Sequence, residues 1–466
     1  MSELLLARSA GLVVEGAPVA PDDLHAQFDL LIASGGGEAI WPDPASGRTA
    51  SGSALRPAPH EIWFASTDAT APSQHAHRAG LATLTQLLDQ DEASNLTLFH
   101  WFDSLRGRIA GAFGPPGTQV ILAPSIASAR DLARAIAWSV HGGPAREISA
   151  GGAETHNMGE TTDIPLREPD GRPRETCEIN FDALLAARSL SSPLLLHVLD
   201  QSRSGLPSLT RAGADLIAQE RAAITLIDAS EMRTAPDCLR WDLEVGRLVL
   251  ISGSTFLSGH ASSAAVLVPA CLSARLTHAA PAHLIADAAA QDMPPEWRDM
   301  FCAKGAARLN IGLGLRWSAA LAELDRYLQT PLPLREAILD LFSRKVRARL
   351  SRCGLVGRIE QGRSGVTPLI LNDASFADAQ CLREALATPT DCAGDAVCHV
   401  GAPMELSKGL VALPLSASAP MVSDVAGRIA RGVTFDRAFA PIQRDIDTLF
   451  EKLERVWGQT EAIQGF

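Results

Sequence analysis

Lysine is scarce in this chain of 466 residues: Lys304, Lys345, Lys408 and Lys452 stand against 37 arginines. Chemistry that needs a lysine amine is therefore confined to those positions. No G-K-S or G-K-T triplet occurs, which excludes a phosphate-cradling P-loop, and no G-x-S-x-G elbow occurs. H-E-x-x-H is also missing, since His60-Glu61 has no second histidine at the right spacing. His75 and His77 read as solvated side chains near a helix start rather than a metal pair, and no metal is expected. The eight cysteines are scattered without a C-x-x-C pair, so they read as reduced thiols. Positive charge is short as well: the net charge is -12 and no basic run stands out, which excludes nucleic acid as a partner. No uninterrupted apolar run reaches about 18 residues, so a membrane span is not expected. The N-terminus lacks the basic flank of a signal peptide, which makes the cytoplasm the expected compartment. Tyrosine occurs once, at Tyr327 in a helical stretch, where core or interface packing is the expected role.

What is present is ordinary globular composition, with 46% hydrophobic and 20% charged residues. Short apolar runs alternate with amphipathic ones. QVILAP (119–124), PLLLHVLD (193–200), AAITLID (222–228), RLVLIS (247–252) and AAVLVP (264–269) read as strands. Between them ARDLARAIAWSVH (129–141), LTRAGADLIAQER (209–221) and APDCLRWDLEVG (235–246) carry helical spacing. This alternation predicts an α/β fold with a doubly wound, mostly parallel sheet covered on both faces. Later segments are helical (PPEWRDMFCAKGAARLN, GLRWSAALAELDRYLQ, LREAILDLFSRKVRARLSR), followed by VTPLILN and GLVALPLS as strands. The expected division is an irregular N-terminal segment (1–75), a large domain (76–300) and a smaller C-terminal α+β domain (301–466).

In a doubly wound sheet, chemistry gathers beyond the carboxyl ends of the strands. Those ends are APSIAS (123–128), DQSRSG (200–205), DASEMR (228–233) and SGSTF (252–256). Singly, each reads as a helix cap. Together and in this order they resemble the large domain of the fold type I (aspartate-aminotransferase-like) pyridoxal-phosphate enzymes. The likeness is to a bacterial branch with A-P-S-G-T-D, D-x-S-K-T-G, D-A-C-Q-x-R and T-G-S-K-F at the corresponding places. It runs from about Ile32 to about Val422. The resemblance implies that Asp228 pairs with the pyridinium nitrogen of pyridoxal phosphate, keeping the ring an electron sink. It also matches Asp200, Ser202, Gly205, Arg233 and Ser254, and leaves Ser125 and Ser128 as hydroxyl donors for the phosphate.

The departures fall on the chemistry. Thr255 stands where the Schiff-base lysine belongs, and a hydroxyl makes no imine. Ile126 and Ala127 replace the Gly-Thr of the phosphate cup, Arg203 replaces a lysine, and Pro414 and Pro420 stand where the branch carries arginines. The bases left nearby are His260, five residues after Thr255, and His156. Three functional expectations follow from the resemblance. The leading one is a catalytically degenerate chain acting as a structural or regulatory subunit, in a dimer with a lysine-bearing paralogue that holds the cofactor. Homodimer and heterodimer both remain open. The second is an enzyme that binds pyridoxal phosphate or its amine form non-covalently, with His260 or Thr255 assisting, on an amino-acid-like substrate. The third is a cofactor-free binding or assembly module in which Asp228 only caps a helix.

Overall fold

The computed structural model describes residues 23–464 apart from 36–39, 44–45, 90–94, 155–160, 191–192, 302–309, 355, 361, 363–364, 372–373, 390–394 and 408. His156, Lys304 and Lys408 lie outside the described residues. The first strand, β1 (Ile62–Phe64), stays apart from the large sheet and pairs in parallel with Cys398–Val400 near the other end of the chain. The large sheet then takes β2 (Gln119–Ala123), β3 (Arg146–Ala150), β4 (Thr162–Ile164), β5 (Leu194–Leu199), β6 (Ile224–Ala229), β7 (Leu248–Ser252) and β8 (Ala264–Val268). Their order is β2-β8-β7-β6-β5-β3-β4. β8 runs antiparallel to both neighbours, and every other pairing is parallel.

Every residue of β5, β6, β7 and β8 is buried. That is why these runs are continuously apolar: a parallel strand covered on both faces has no solvent side. Successive side chains still part to opposite cores. Leu195, Leu226, Leu248 and Leu250 join the core of helix Ile126–His141, while Leu196, Val198, Ile227, Val249 and Ile251 join the larger one. That helix starts on Ser125, whose Oγ accepts from the Ser128 amide, and stops on Gly142 at φ 72°. Strands β3 and β4 and helix Thr176–Ser189 are additions to the sequence reading. REISA and TDI each begin with partly or fully exposed residues, so neither shows a buried-strand run.

The second sheet is antiparallel throughout, in the order β12-β13-β10-β9. Its strands are β9 (Val356–Arg358), β10 (Val366–Leu371), β12 (Met404–Ser407) and β13 (Leu410–Ser416), with β11 being the Cys398–Val400 partner of β1. Helices Leu332–Leu350 and Phe376–Ala387 pack on β10 and β13, respectively. Helix Ile311–Leu328 packs against Gln74–Asp89, Leu24–Ile32 and Asn95–Phe113. The segment before residue 75 is thus tied into the structure by helix Leu24–Ile32 and by β1. The stretch read as one helix from Pro294 lies partly outside the described residues, and its described part holds a single turn, Pro295–Trp297, followed by Arg298–Phe301. No helix among the described residues is long and apolar enough to cross a membrane.

Candidate functional site

Sheet register brings the strand-end motifs to one edge. Ala264 of β8 lies opposite both Ala123 and Ser252, so the turns at 124–125 and 253–255 leave the sheet side by side. Leu199 lies opposite Asp228, and Asp228 opposite Leu250, which aligns the ends of β5, β6 and β7. At this edge the sequence expectation for Asp228 meets an occupant. Arg130, from the second turn of helix Ile126–His141, donates to Asp228 Oδ2 through Nη2 at 2.8 Å and Nε at 3.1 Å. The Ser230 amide donates to the other oxygen, Oδ1, at 3.1 Å. The ion pair is sealed, with side chains 2% and 1% exposed. Burial by itself would raise the Asp228 carboxyl, but the Arg130 charge and the Ser230 bonds outweigh it and hold Asp228 below the ordinary aspartate range.

The turn expected to cradle a phosphate is also engaged. Ser125 Oγ and Ser128 Oγ lie 2.8 Å apart, and Ser128 Oγ donates to Asp287 Oδ2 at 2.6 Å. A carboxylate from the chain itself thus stands at the helix start, where a phosphate would meet charge repulsion. The cavity between Ser128, Asp131 and Asp287 is about 20 Å³, space for roughly one or two waters.

Thr255 Oγ1 donates to the Ser230 carbonyl at 3.0 Å, which ties the turn after β7 to the loop after β6. Ser254 is bound through its own carbonyl to Thr70 Oγ1 at 2.8 Å, and its hydroxyl lies 3.0 Å from Ser252 Oγ. The glycines of this turn serve backbone packing. A Cβ on Gly253 would come within 2.7 Å of Ala320 on helix Ile311–Leu328, and one on Gly259 within 2.5 Å of the Gly253 carbonyl. His260 is buried in a ring cluster, 5.3 Å from Phe28 and 5.5 Å from His77. Burial lowers its pKa to about 3, so it holds no proton near neutrality and is a weak base. His77, expected in solvent, is buried in the same cluster because Phe28 of helix Leu24–Ile32 closes over it. The two described lysines are placed elsewhere. Lys345 is exposed on its helix, and Lys452 donates to the carbonyls of Thr388 and Ala396 beside Asp395.

The remaining residues of these motifs, Arg203 among them in place of a lysine, form a buried polar layer. Asp200 accepts from Arg211 at 3.0 Å, Ser202 Oγ accepts from the Leu206 amide at 3.0 Å, and Arg203 pairs with Asp68 at 2.6 Å. Arg233 donates through Nη2 to Ser66 Oγ at 2.8 Å and to the Ala417 carbonyl at 3.0 Å, and lies over the Phe256 ring. Met232 is held at φ 53°, an uncommon conformation for a non-glycine residue, which fixes the loop from Asp228 to Arg233. Glu231 is the outlier. Burial pushes its carboxyl up to about 8, against the pull of Arg233. A carboxyl raised by folding contributes stability fully below its unfolded pKa and loses it as pH rises through the folded value. Wild-type stability should therefore fall behind that of Glu231→Gln progressively from pH 4.5 to 8. Thermal unfolding of both proteins across that window checks this, and parallel curves would count against it. Among the described residues no cluster of His, Cys, Asp and Glu is arranged to hold a metal.

No family model matches the chain, and no curated protein matches its sequence. Solved structures do match. The NifS-like protein from Rickettsia africae shares 12% identity and a TM-score of 0.55, over 86% of this chain and 100% of that one. The cysteine desulfurase CsdA from Escherichia coli shares 13% identity and a TM-score of 0.56, over 86% of this chain and 95% of that one. The chain has the fold type I architecture of the pyridoxal-phosphate enzymes. Serine palmitoyltransferase from Sphingomonas wittichii matches at a TM-score of 0.47 and 13% identity, over 79% of this chain and 84% of that one.

The residues at the strand ends do not fit the cofactor that the fold implies. Arg130 and the Ser230 amide already bond both oxygens of Asp228, Asp287 already bonds Ser128, and position 255 offers a hydroxyl. The sequence reading missed Arg130 and Asp287. Arg130 had a legible signal, since it lies on the same helical stripe as Ala129, Ala133, Ile136 and Ala137, all buried. A charge on such a stripe asks for a buried partner. Asp287 had none, because its segment has no periodicity and reaches Ser128 from 159 residues away.

Proposed function

We propose that this chain is a catalytically degenerate member of the fold, carrying out no pyridoxal-phosphate chemistry of its own and serving as a structural or regulatory subunit of a dimer. Its partner in this reading is a lysine-bearing paralogue that holds the cofactor. The observation that carries the proposal is the buried Arg130–Asp228 pair, which fills with a side chain the contact that the cofactor's ring nitrogen would make. Thr255 and the Ser128–Asp287 bond support it independently. Pairing is supported by apolar side chains left in solvent: Phe181 and Leu185, one turn apart on helix Thr176–Ser189, and Leu216 on the helix packed against it. An enzyme with non-covalent cofactor is disfavoured by the low basicity of His260 and by its ring contacts.

Native mass spectrometry of the protein purified gently from its own cells tests the proposal. The expected mass is that of this chain with a different second chain, the second one carrying pyridoxal phosphate. A homodimer with the cofactor on this chain would refute it, and a bare homodimer would favour the cofactor-free module instead.

A further inference from the structure

We propose that helix Leu332–Leu350 docks antiparallel against the same helix of a second copy of this chain, each copy seating arginines in an acidic cleft of the other. The helix carries Glu336, Asp340, Arg344 and Arg347, spaced so that all four share one stripe. Glu336, Asp340 and Arg344 are exposed and Arg347 is half-buried. The signs are segregated along that stripe, acid in the first half and base in the second. Opposite charges four residues apart stabilise a solvated helix, whereas like charges at that spacing repel. The helix dipole acts only within the first and last turns, and Asp340 and Arg344 lie at mid-helix, beyond its reach. Among the described residues, the side chains of Glu336, Arg344 and Arg347 have no ion-pair or hydrogen-bond partner within the chain.

The acidic half borders a cleft of about 760 Å³ between this helix and helix Pro236–Glu244. Asp237, Glu336 and Asp340 line it, together with Trp241 and Leu339. The arginines of the cleft are engaged inside the chain. Arg211 bonds Asp200 and Asp242, and Arg233 bonds Ser66 Oγ and the Ala417 carbonyl. The opening therefore holds an excess of carboxylates. Trp241 is 58% exposed, so an indole ring is uncovered beside them. Carboxylates next to an open aromatic face are the surroundings that suit a guanidinium, with charge-assisted bonds in its plane and the ring against its face.

A second copy is the occupant because its charges match. The basic half of the helix supplies the guanidinium groups of Arg344 and Arg347, and the acidic half supplies the cleft. A two-fold axis between Asp340 and Arg344 sets Asp340 of each copy against Arg344 of the other, and Glu336 against Arg347. Such a contact is isologous, so every ion pair forms twice. The chain as a whole is acidic, at net charge -12, so two copies repel in most orientations and this local pattern reverses the sign. The inference does not rest on the subunit reading: Phe181 and Leu185, which support that pairing, lie on helix Thr176–Ser189.

Sedimentation velocity of the purified full chain at micromolar concentrations, with no partner protein present, tests it. Self-association is expected, weakening as salt rises from about 0.05 to about 0.5 M, because exposed ion pairs are screened. Two charge-reversed chains decide the assignment, one carrying Glu336→Arg with Asp340→Arg and the other Arg344→Glu with Arg347→Glu. Each alone should self-associate at least about tenfold more weakly, since like charges then face each other. An equimolar mixture of the two should recover the association, because every position again meets its opposite. Trp241→Ala should weaken the wild-type contact several-fold, with circular dichroism as the folding check for all variants. A chain that stays monomeric at low salt, association indifferent to either reversal, or a mixture no better than its components would each overturn the proposal. None of these results bears on pairing with a paralogue, which the experiment leaves out.

Discussion

Replacing Arg130 by methionine is expected to destabilise the protein by about 3–5 kcal/mol, the cost of leaving a buried carboxylate without its partner. The size follows from how completely the pair is sealed, with 2% and 1% of its side chains exposed. Water has no access to replace the two guanidinium bonds to Asp228 Oδ2. The double variant Arg130→Met with Asp228→Asn should recover most of the loss, because it removes the uncompensated charge while keeping an acceptor for the Ser230 amide. Arg130→Lys should fall between, since an ammonium cannot reproduce the paired Nε and Nη2 contact. Chemical and thermal unfolding of the set measure these differences. A loss below about 1 kcal/mol for Arg130→Met would mean that the pair is no more than a surface-type contact.

The second large effect concerns repair of the lysine. Thr255→Lys alone should yield no more borohydride-trapped phosphopyridoxyl adduct than wild type. Placing an amine at 255 leaves Arg130 on Asp228 and Asp287 on Ser128, so ring and phosphate still lack their contacts. Adding Arg130→Ala and Asp287→Ala to Thr255→Lys should raise trapping at least about tenfold, because it frees both contacts at once. Peptide mapping of the adduct decides the outcome. Efficient trapping at position 255 in the single variant would show that Arg130 yields its place readily and that only the lysine is missing.

These expectations rest on residues that the sequence displays unequally. Strands β5 to β8 are legible because LLLHVL, ITLIDA, LVLIS and AAVLV are apolar throughout, the mark of strands covered on both faces. β3 and β4 are not, since they lie at the side of the sheet where part of each strand meets solvent. Helix Thr176–Ser189 escapes notice for a related reason: Phe181 and Leu185 stay exposed, which blurs its apolar stripe. The strand-end motifs were legible as an ordered set, and register does bring them to one edge. What sequence spacing could not convey is which side chain faces which. Asp228 is read as a partner for a cofactor, whereas its partner is Arg130, 98 residues earlier. His260 is close to Thr255 in sequence but packs among Phe28 and His77, because the loop after Thr255 folds onto the N-terminal helices.

The central claim is that an arginine has taken the contact that the cofactor's ring would make. A crystal structure of the protein grown with excess pyridoxal phosphate tests it most directly. The account predicts the Arg130–Asp228 pair intact, with Nη2 at its 2.8 Å contact, and no cofactor beside Asp228. A pyridine ring against Asp228, with Arg130 displaced, would contradict it.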